Sequence, residues 1–458
     1  MYNRHLFLLI IVLSSLVVCQ SCSDSWLDAK PDKSMVVPET IMDYQALLDN
    51  STQTFNVSQP SGLGEISAGD FYISFASWSS LFTKQEKSAY VWAPTERFYE
   101  GELSSGWEQG YKRILTANLI LEGIEKIKPS PAERQVWNNV KGSALFFRSF
   151  DFFNLSQEYC KPYTSASAHT DLGLPLRTES NVNSQVRRSP VQQTYDQIIK
   201  DLKPASQLLG KTPLSKTRPS KQAVFALLAR TYLSMENYDQ AGVYADSALQ
   251  IQNELIDYTT LNTNAAYPIG RFNMETIFHS SFSYGIFNAS RLIVDPALIS
   301  MYAGDDLRRV IFFKLVPNGG MTFKGNYSGD KNLFGGLATD ELYLIRAECK
   351  VRAGNLSAAL SDLNKLLRSR WKGKYQDIVL QDQEAVLSII LKERRKELVF
   401  RGLRWGDLRR LNRDSRFAVT LTRTLDGQVY QLLPRDKRYV LPIPEQEVTL
   451  GGIVQNER

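Results

Sequence analysis

Three groups of side chains set what this chain can bind or modify. The first is Cys22, with Ser21 before it and Ser23-Asp24-Ser25 after it at the close of an apolar run. Small and polar neighbours of that kind surround a cysteine whose thiol is acylated after export, and Cys19, preceded by the bulky Val18, fits less well. The second group is two aromatic-rich stretches. One holds Tyr72, Trp78, Phe82, Trp92, Phe98 and Tyr99; the other holds Phe272, Phe282, Tyr284, Phe287, Asn288, Arg291 and Tyr327. Ring faces cover the C–H surfaces of sugars, while amide, hydroxyl and guanidinium groups meet sugar hydroxyls. The binding candidates are therefore Trp78, Tyr284, Tyr72, Trp92, Phe287, Asn288 and Arg291. Trp78 and Tyr284 lead, because their Ser and Gly neighbours place them on exposed loops. The third group is the carboxylates, of which a glycoside hydrolase needs just two; Asp305-Asp306 reads as a solvated turn.

Other chemistries lack their residues. Beyond Cys22 the histidines are His169 and His279, far apart, and the cysteines are Cys160 and Cys349. No Gly-x-Ser-x-Gly elbow, His-Glu-x-x-His pair or Gly-rich phosphate loop occurs. The expectation is a binding protein with no cofactor, no metal and no reaction. Two cysteines cannot build a disulfide framework, so packing must hold the fold.

Arg4 and His5 precede the apolar run Leu6 to Val18, which is shorter than the roughly 20 residues needed to span a bilayer. Residues 1–21 therefore read as a cleaved export signal, and 22–38, polar and with two prolines, as a lipidated tether whose first anchor is Trp26-Leu27. Durable membrane attachment follows from two or more acyl chains. The remaining 39–458 is ordinary globular material, at 43% hydrophobic and 22% charged composition. A formal charge of +6 is spread among interleaved acids and bases and reads as incidental, with no nucleic-acid partner.

Helical spacing dominates what must position these groups. Helices are expected at about 39–50, at 107–125 through Trp107, Tyr111, Ile114, Leu115, Asn118 and Leu121, at 132–158, and at 190–209 with a bend at Pro204. Ser220 starts a hairpin, with Val224, Leu227, Leu228, Tyr232 and Met235 on one stripe and a partner helix after Asn237. Ala229 and Ala241 allow close backbones, and Ala347 and Ala359 stand equally far apart in a second hairpin over 340–368. Such units look tetratricopeptide-like and must stack to bury their apolar faces. The stretches at about 51–100 and 264–333 interrupt them as loop-rich insertions, with a short strand at Ile277-Phe278 and a turn at Pro317-Asn318-Gly319-Gly320. The fold class is thus mainly α, a tetratricopeptide-like helical hairpin scaffold with an irregular, loop-rich subdomain and short strands.

The most specific segment runs from Glu393 to Arg410, ERRKELVFRGLRWGDLRR. Its Leu398 and Phe400, with Leu387, Ile390 and Leu391 before them, can pack inward. Its Glu393, Arg394, Glu397, Arg404 and Asp407 can pair charges internally, and Gly402 ends the helix. This segment resembles the signature helix of the SusD/RagB family of surface lipoproteins. Trp107 with Tyr111 and Asn118, the run Asp171-Leu172-Gly173-Leu174-Pro175-Leu176, and Leu441-Pro442-Ile443-Pro444 extend the similarity over nearly the whole chain. The resemblance implies an outer-membrane location facing the cell exterior, a TonB-dependent, SusC-like transporter as partner, and an oligosaccharide as ligand. Peptide is the ligand implied by the RagB branch. A two-carboxylate surface hydrolase and a scaffold that binds protein alone are the remaining alternatives.

Overall fold

The Ser220 hydroxyl accepts the Ala223 N–H at 3.3 Å and starts the helix Lys221–Ser234. Asn237 caps the partner helix Tyr238–Ile251 through the Gln240 N–H at 3.1 Å. In the second hairpin, Thr339–Arg352 and Leu356–Arg368, Asn355 plays the same part for Ala358. These caps satisfy N–H groups that a helix leaves open. Ala229, Ala241, Ala347 and Ala359 are all fully buried, where their small side chains let the helices close up. Both hairpins expected from the sequence are thus present.

This computed structural model describes residues 38–317 and 319–458. The export signal at 1–21, Cys19 and Cys22, the tether as far as residue 37 with Trp26 and Leu27, and Asn318 lie outside the described residues. Ile41–Arg458 form one unit; of the unit before it, just 38–40 are described. No helix among the described residues is long and apolar enough to cross a membrane.

Ser105–Ile124, Arg134–Tyr159, Val191–Leu208, Lys221–Ser234, Tyr238–Ile251 and Thr339–Arg352 each pack on the next in that order. Thr339–Arg352 then packs on both Leu356–Arg368 and Gln383–Glu397. Arginine–carboxylate pairs bridge neighbouring helices. Arg113 meets Asp151 at 2.7 Å, Arg148 meets Asp201 at 2.7 Å, and Arg230 meets Glu341 at 2.6 Å, all buried. Such pairs add little net stability over apolar packing, but breaking one strands a buried charge, so they fix which helix faces which. Asn118 donates to the carbonyls of Arg177 and Glu179, and Tyr111 to that of Pro175, which ties the loop after Arg134–Tyr159 to the scaffold.

The charges of the segment resembling the family signature are paired within the protein, mostly by residues outside the segment. Buried Arg308 binds Asp306, Glu393 and Glu397 at 2.7, 2.6 and 2.9 Å. Arg370 bridges Glu397 and Glu275, both at 2.8 Å. Arg394 holds Asp407 at 2.8 Å and Arg410 holds Glu348 at 2.7 Å, whereas the Arg404 Nε finds no partner among the described residues. Asp306 corrects the solvated-turn expectation: it is 1% exposed because Arg308 and Lys396 hold it inside, while Asp305 alone faces solvent.

Residues 51–100 also differ from the expected loops. Short helices Gly62–Ser67, Phe75–Ser79 and Lys84–Tyr90 fill much of the stretch, the last two capped by Ser74 and Thr83. They are too short to show helical periodicity. Residues 264–333 are irregular as expected, with two-residue and three-residue strands paired antiparallel, among them Thr276–Phe278 with Leu337–Ala338 and Phe313–Leu315 with Met321–Phe323. Cys160 and Cys349 are free and buried.

Candidate functional site

The two aromatic-rich stretches meet through a two-residue strand pair, Phe71 opposite Val294 and Tyr72 opposite Ile293. Glu86 reinforces the junction: one carboxylate oxygen accepts the Ile286 N–H at 2.8 Å and the other the Thr83 hydroxyl at 2.7 Å. Beneath the junction lies a floor of rings. Phe71 and Phe287 are 5.7 Å apart, Phe287 and Phe400 6.5 Å, and Phe323 and Phe400 4.7 Å.

Above that floor opens a cavity of about 540 Å³ whose wall includes Tyr267, Tyr284, Phe287, Phe323, Asn288 and Arg291. Its size suits a small ligand or a few sugar rings. The Tyr284 ring rests on Gly62, its hydroxyl shares a 3.1 Å hydrogen bond with Ser105, and burial pushes that hydroxyl's pKa well up, so it stays protonated. Asn288 accepts the Ser290 N–H at 3.0 Å, and Arg291 donates to the Gly285 carbonyl at 3.2 Å, so both side chains are held in place by their own loop. Lys324 donates to the Thr263 carbonyl at 2.5 Å, and its pKa is lowered first by burial and then by Lys314.

A ledge of exposed rings continues from Tyr72. Phe75 and Trp78 stack at 5.9 Å and 25° on their short helix, and the Trp78 indole N–H donates to the Lys87 carbonyl at 3.2 Å. Tyr72, Phe75 and Phe82 are 45%, 45% and 95% exposed, and Trp78 is half-buried.

Of the residues picked from sequence, Tyr284, Phe287, Asn288 and Arg291 come together around the cavity, and Tyr72 and Trp78 lie on the ledge. Trp92 must be corrected. It is 1% exposed, donates to the Ser67 carbonyl at 3.0 Å and packs 4.7 Å from the Arg423 guanidinium, so no ligand can reach its face. Phe98, Tyr99, Phe282 and Tyr327 are core residues as well. Phe75 on the ledge and Tyr267, Phe323, Lys314, Lys324 and Lys331 on the cavity wall join these candidates in the structure alone. Phe75 carried a signal, standing three residues before Trp78 just after a capping serine; the lysines carried none.

Elsewhere, Glu275, Asp340 and Glu397 bring oxygens within 4.8 Å of one another, but guanidinium groups already neutralise them, Arg370 on two and Arg401 on Asp340 at 2.7 Å. A larger cavity of about 630 Å³ adjoins the helix Arg404–Leu411. Its Lys161 pairs with Asp171, Lys437 with Glu457 and Arg413 with Glu236 at 2.9–3.0 Å. Tyr439, its one lining ring among the described residues, already packs against Trp405 at 4.7 Å. It offers a ligand neither a free ring face nor a free charge from those pairs.

Residues 25–233 match a SusD-like family model described as starch-binding and associating with the outer membrane, and residues 339–458 match the SusD family model. Over 155 residues the chain is 28% identical to SusD-like protein P2 of Formosa agariphila, a match covering 34% of this chain and 28% of that protein, little more than a quarter of its length. A Bacteroides vulgatus structure described as a putative sugar binding protein superposes with a TM-score of 0.75 at 22% identity, covering 92% of this chain and 99% of that one. A SusD superfamily protein from Bacteroides thetaiotaomicron gives 0.71 at 22%, covering 92% and 100%. A laminarin-binding SusD-like protein gives 0.64 at 17%, covering 91% and 98%. The shared architecture is the helical hairpin scaffold.

Proposed function

The chain belongs to the SusD/RagB family, and from that premise we propose that it is a lipid-anchored surface protein that captures an oligosaccharide for a TonB-dependent outer-membrane transporter. In this reading residues 1–21 direct export and are removed, Cys22 carries the acyl chains, 22–38 is the tether, and 39–458 is the binding domain. The observation that carries the proposal is the cavity in the second aromatic-rich stretch, with Tyr284, Phe287, Phe323, Asn288 and Arg291 on its wall. Rings supply stacking faces for sugar and the loop-held polar groups supply hydrogen-bond partners. The ledge of Tyr72, Phe75 and Trp78 would extend contact along a chain of several sugars. That a structural relative binds laminarin supports a saccharide ligand.

Capture without turnover is favoured by the acids at this place. Asp330 is the one carboxylate lining the cavity among the described residues, and glycoside hydrolysis needs two facing carboxyl groups.

The test is calorimetric titration of a soluble form lacking the residues before Ser23 against oligosaccharides and peptides, repeated with Tyr284→Ala and Trp78→Ala. Saturable sugar binding with no product formed, weakened about tenfold by Tyr284→Ala, is the expected result. Binding of peptide alone would transfer the ligand to that class, and silence across the panel would overturn capture. Cys22→Ser should release the protein from the membrane fraction; retention there would remove the anchor from the account.

A further inference from the structure

The charge on the cavity wall is lopsided. Among the described residues, Arg291, Lys314, Lys324 and Lys331 line it, against the single carboxylate of Asp330. None of the four cations has an ion-pair partner among the described residues, in contrast to the scaffold, where arginine after arginine meets a carboxylate at 2.6–2.9 Å. The charge that looks evenly spread along the sequence is therefore unbalanced at this wall.

Their placement is built by the fold. Lys314 sits on the hairpin Phe313–Leu315 and Met321–Phe323, and Lys324 directly follows its second strand. Lys324 is 8% exposed, with burial and Lys314 both opposing its charge. Arg291 lines the same cavity from the loop that carries Tyr284 and Phe287. Asp330 is already engaged by the Asn332 N–H at 2.7 Å. A neutral sugar would leave the like charges of Lys314 and Lys324 opposing each other, whereas a negative group in the cavity would relieve that repulsion and accept hydrogen bonds from the cations of the wall.

We propose that this cavity takes an acidic oligosaccharide, one bearing carboxylate or sulfate groups, held by its rings on Tyr284 and Phe287 and by its anions on Arg291, Lys314, Lys324 and Lys331. The inference rests on the proposed function above, since it assigns the charge of the ligand at that same site.

The experiment titrates the soluble form with neutral β-glucan oligosaccharides, uronate oligosaccharides and sulfated galactan oligosaccharides at 50 and 500 mM NaCl, for the unaltered protein and for Lys314→Ala, Lys331→Ala and Lys324→Met. The expected result is that an acidic series binds at least tenfold more tightly than the neutral one. High salt should reduce its affinity, each exposed-lysine substitution should weaken it two- to fivefold, and Lys324→Met about tenfold. Whichever acidic series binds identifies carboxylate or sulfate as the recognised group. Equal or tighter binding of the neutral series, unmoved by salt and lysine substitution, would overturn the inference while leaving sugar capture intact. Failure of every saccharide would overturn the capture reading itself. Thermal unfolding of each variant separates lost affinity from lost fold, and Lys314→Ala and Lys331→Ala alter exposed side chains alone.

Discussion

The ring of Tyr284 lies so close over Gly62 that a β-carbon on Gly62 would fall 2.1 Å from its Cε2 and 2.6 Å from its Cδ2. The absent side chain at Gly62 thus creates the seat that holds a cavity ring in place, with Ser105 fixing the far end through its hydroxyl. Gly62→Ala should push the ring out of that seat, weaken ligand binding about tenfold and lower stability by about 1–3 kcal/mol. Calorimetric affinity and Tm, measured together, check this; unchanged affinity would show that the ring's position is not set by Gly62.

Two indoles close in sequence should behave oppositely. Trp92→Ala removes a core ring and should lower stability by about 3–5 kcal/mol. Trp78→Ala, on the ledge, should reduce affinity with a Tm loss well below that of Trp92→Ala. Denaturant unfolding of both variants beside ligand titration of Trp78→Ala makes the comparison, and equal stability losses would contradict the burial difference.

Glu65 and Glu158 support the floor beside the cavity by accepting the N–H groups of Gly402 at 2.8 Å and Gly64 at 2.7 Å. Burial raises both carboxyl pKa values to about 8. A raised acid holds its proton more tightly folded than unfolded, so its stabilisation is full below about 4.5 and declines as pH rises through 8. Glu158→Gln and Glu65→Gln stay neutral at every pH. Their Tm relative to the unaltered protein should therefore improve steadily between pH 5 and 8.5. A relative Tm that stays flat over that range would mean that neither carboxyl changes its charge there.

His279 runs the other way. Its imidazole is buried between Phe272 and Phe334 at 5.1 and 5.9 Å, neither ring nitrogen has a partner among the described residues, and burial followed by Arg271 lowers its pKa to about 4. A lowered base is stabilising above its unfolded value of about 6.5 and loses that contribution as pH falls towards 4. Acid unfolding should start at lower pH in His279→Leu than in the unaltered protein. The same acid midpoint in both would assign the transition to other groups.

Arg308 joins Asp306, Glu393 and Glu397 at one buried point. Arg308→Met would leave three acids facing each other without their shared cation, a loss of about 3–5 kcal/mol. Adding Glu397→Gln should recover part of it, as read by urea unfolding; no recovery would show that the guanidinium acts through packing rather than charge.

The helical hairpins were readable because their information is local. Ser220, Asn237 and Asn355 cap the helices that their own sequence neighbours form, and alanines at fixed spacing mark where backbones close. The segment from Glu393 onward was legible in part: its interleaved acids and bases announced that charges would be paired, but most of the partners, Arg308, Arg370 and Glu348, lie far along the chain. The short helices at residues 62–90 were not, because five to seven residues show too little of a helical period to distinguish them from loop.

By itself, then, the sequence determined the helical scaffold, the family resemblance and the two aromatic-rich stretches, one carrying Tyr72 and Trp78 and the other Tyr284, Phe287, Asn288 and Arg291. Tertiary structure alone decided that Trp92 is core while Trp78 is surface, that Asp306 is buried while Asp305 is not, and that Lys314, Lys324 and Lys331 face one cavity with Arg291. The physical reason is one of range. Capping and periodicity act over a few residues, whereas burial and charge pairing depend on partners far along the chain, as Trp92 depends on Arg423 and Arg308 on Glu397.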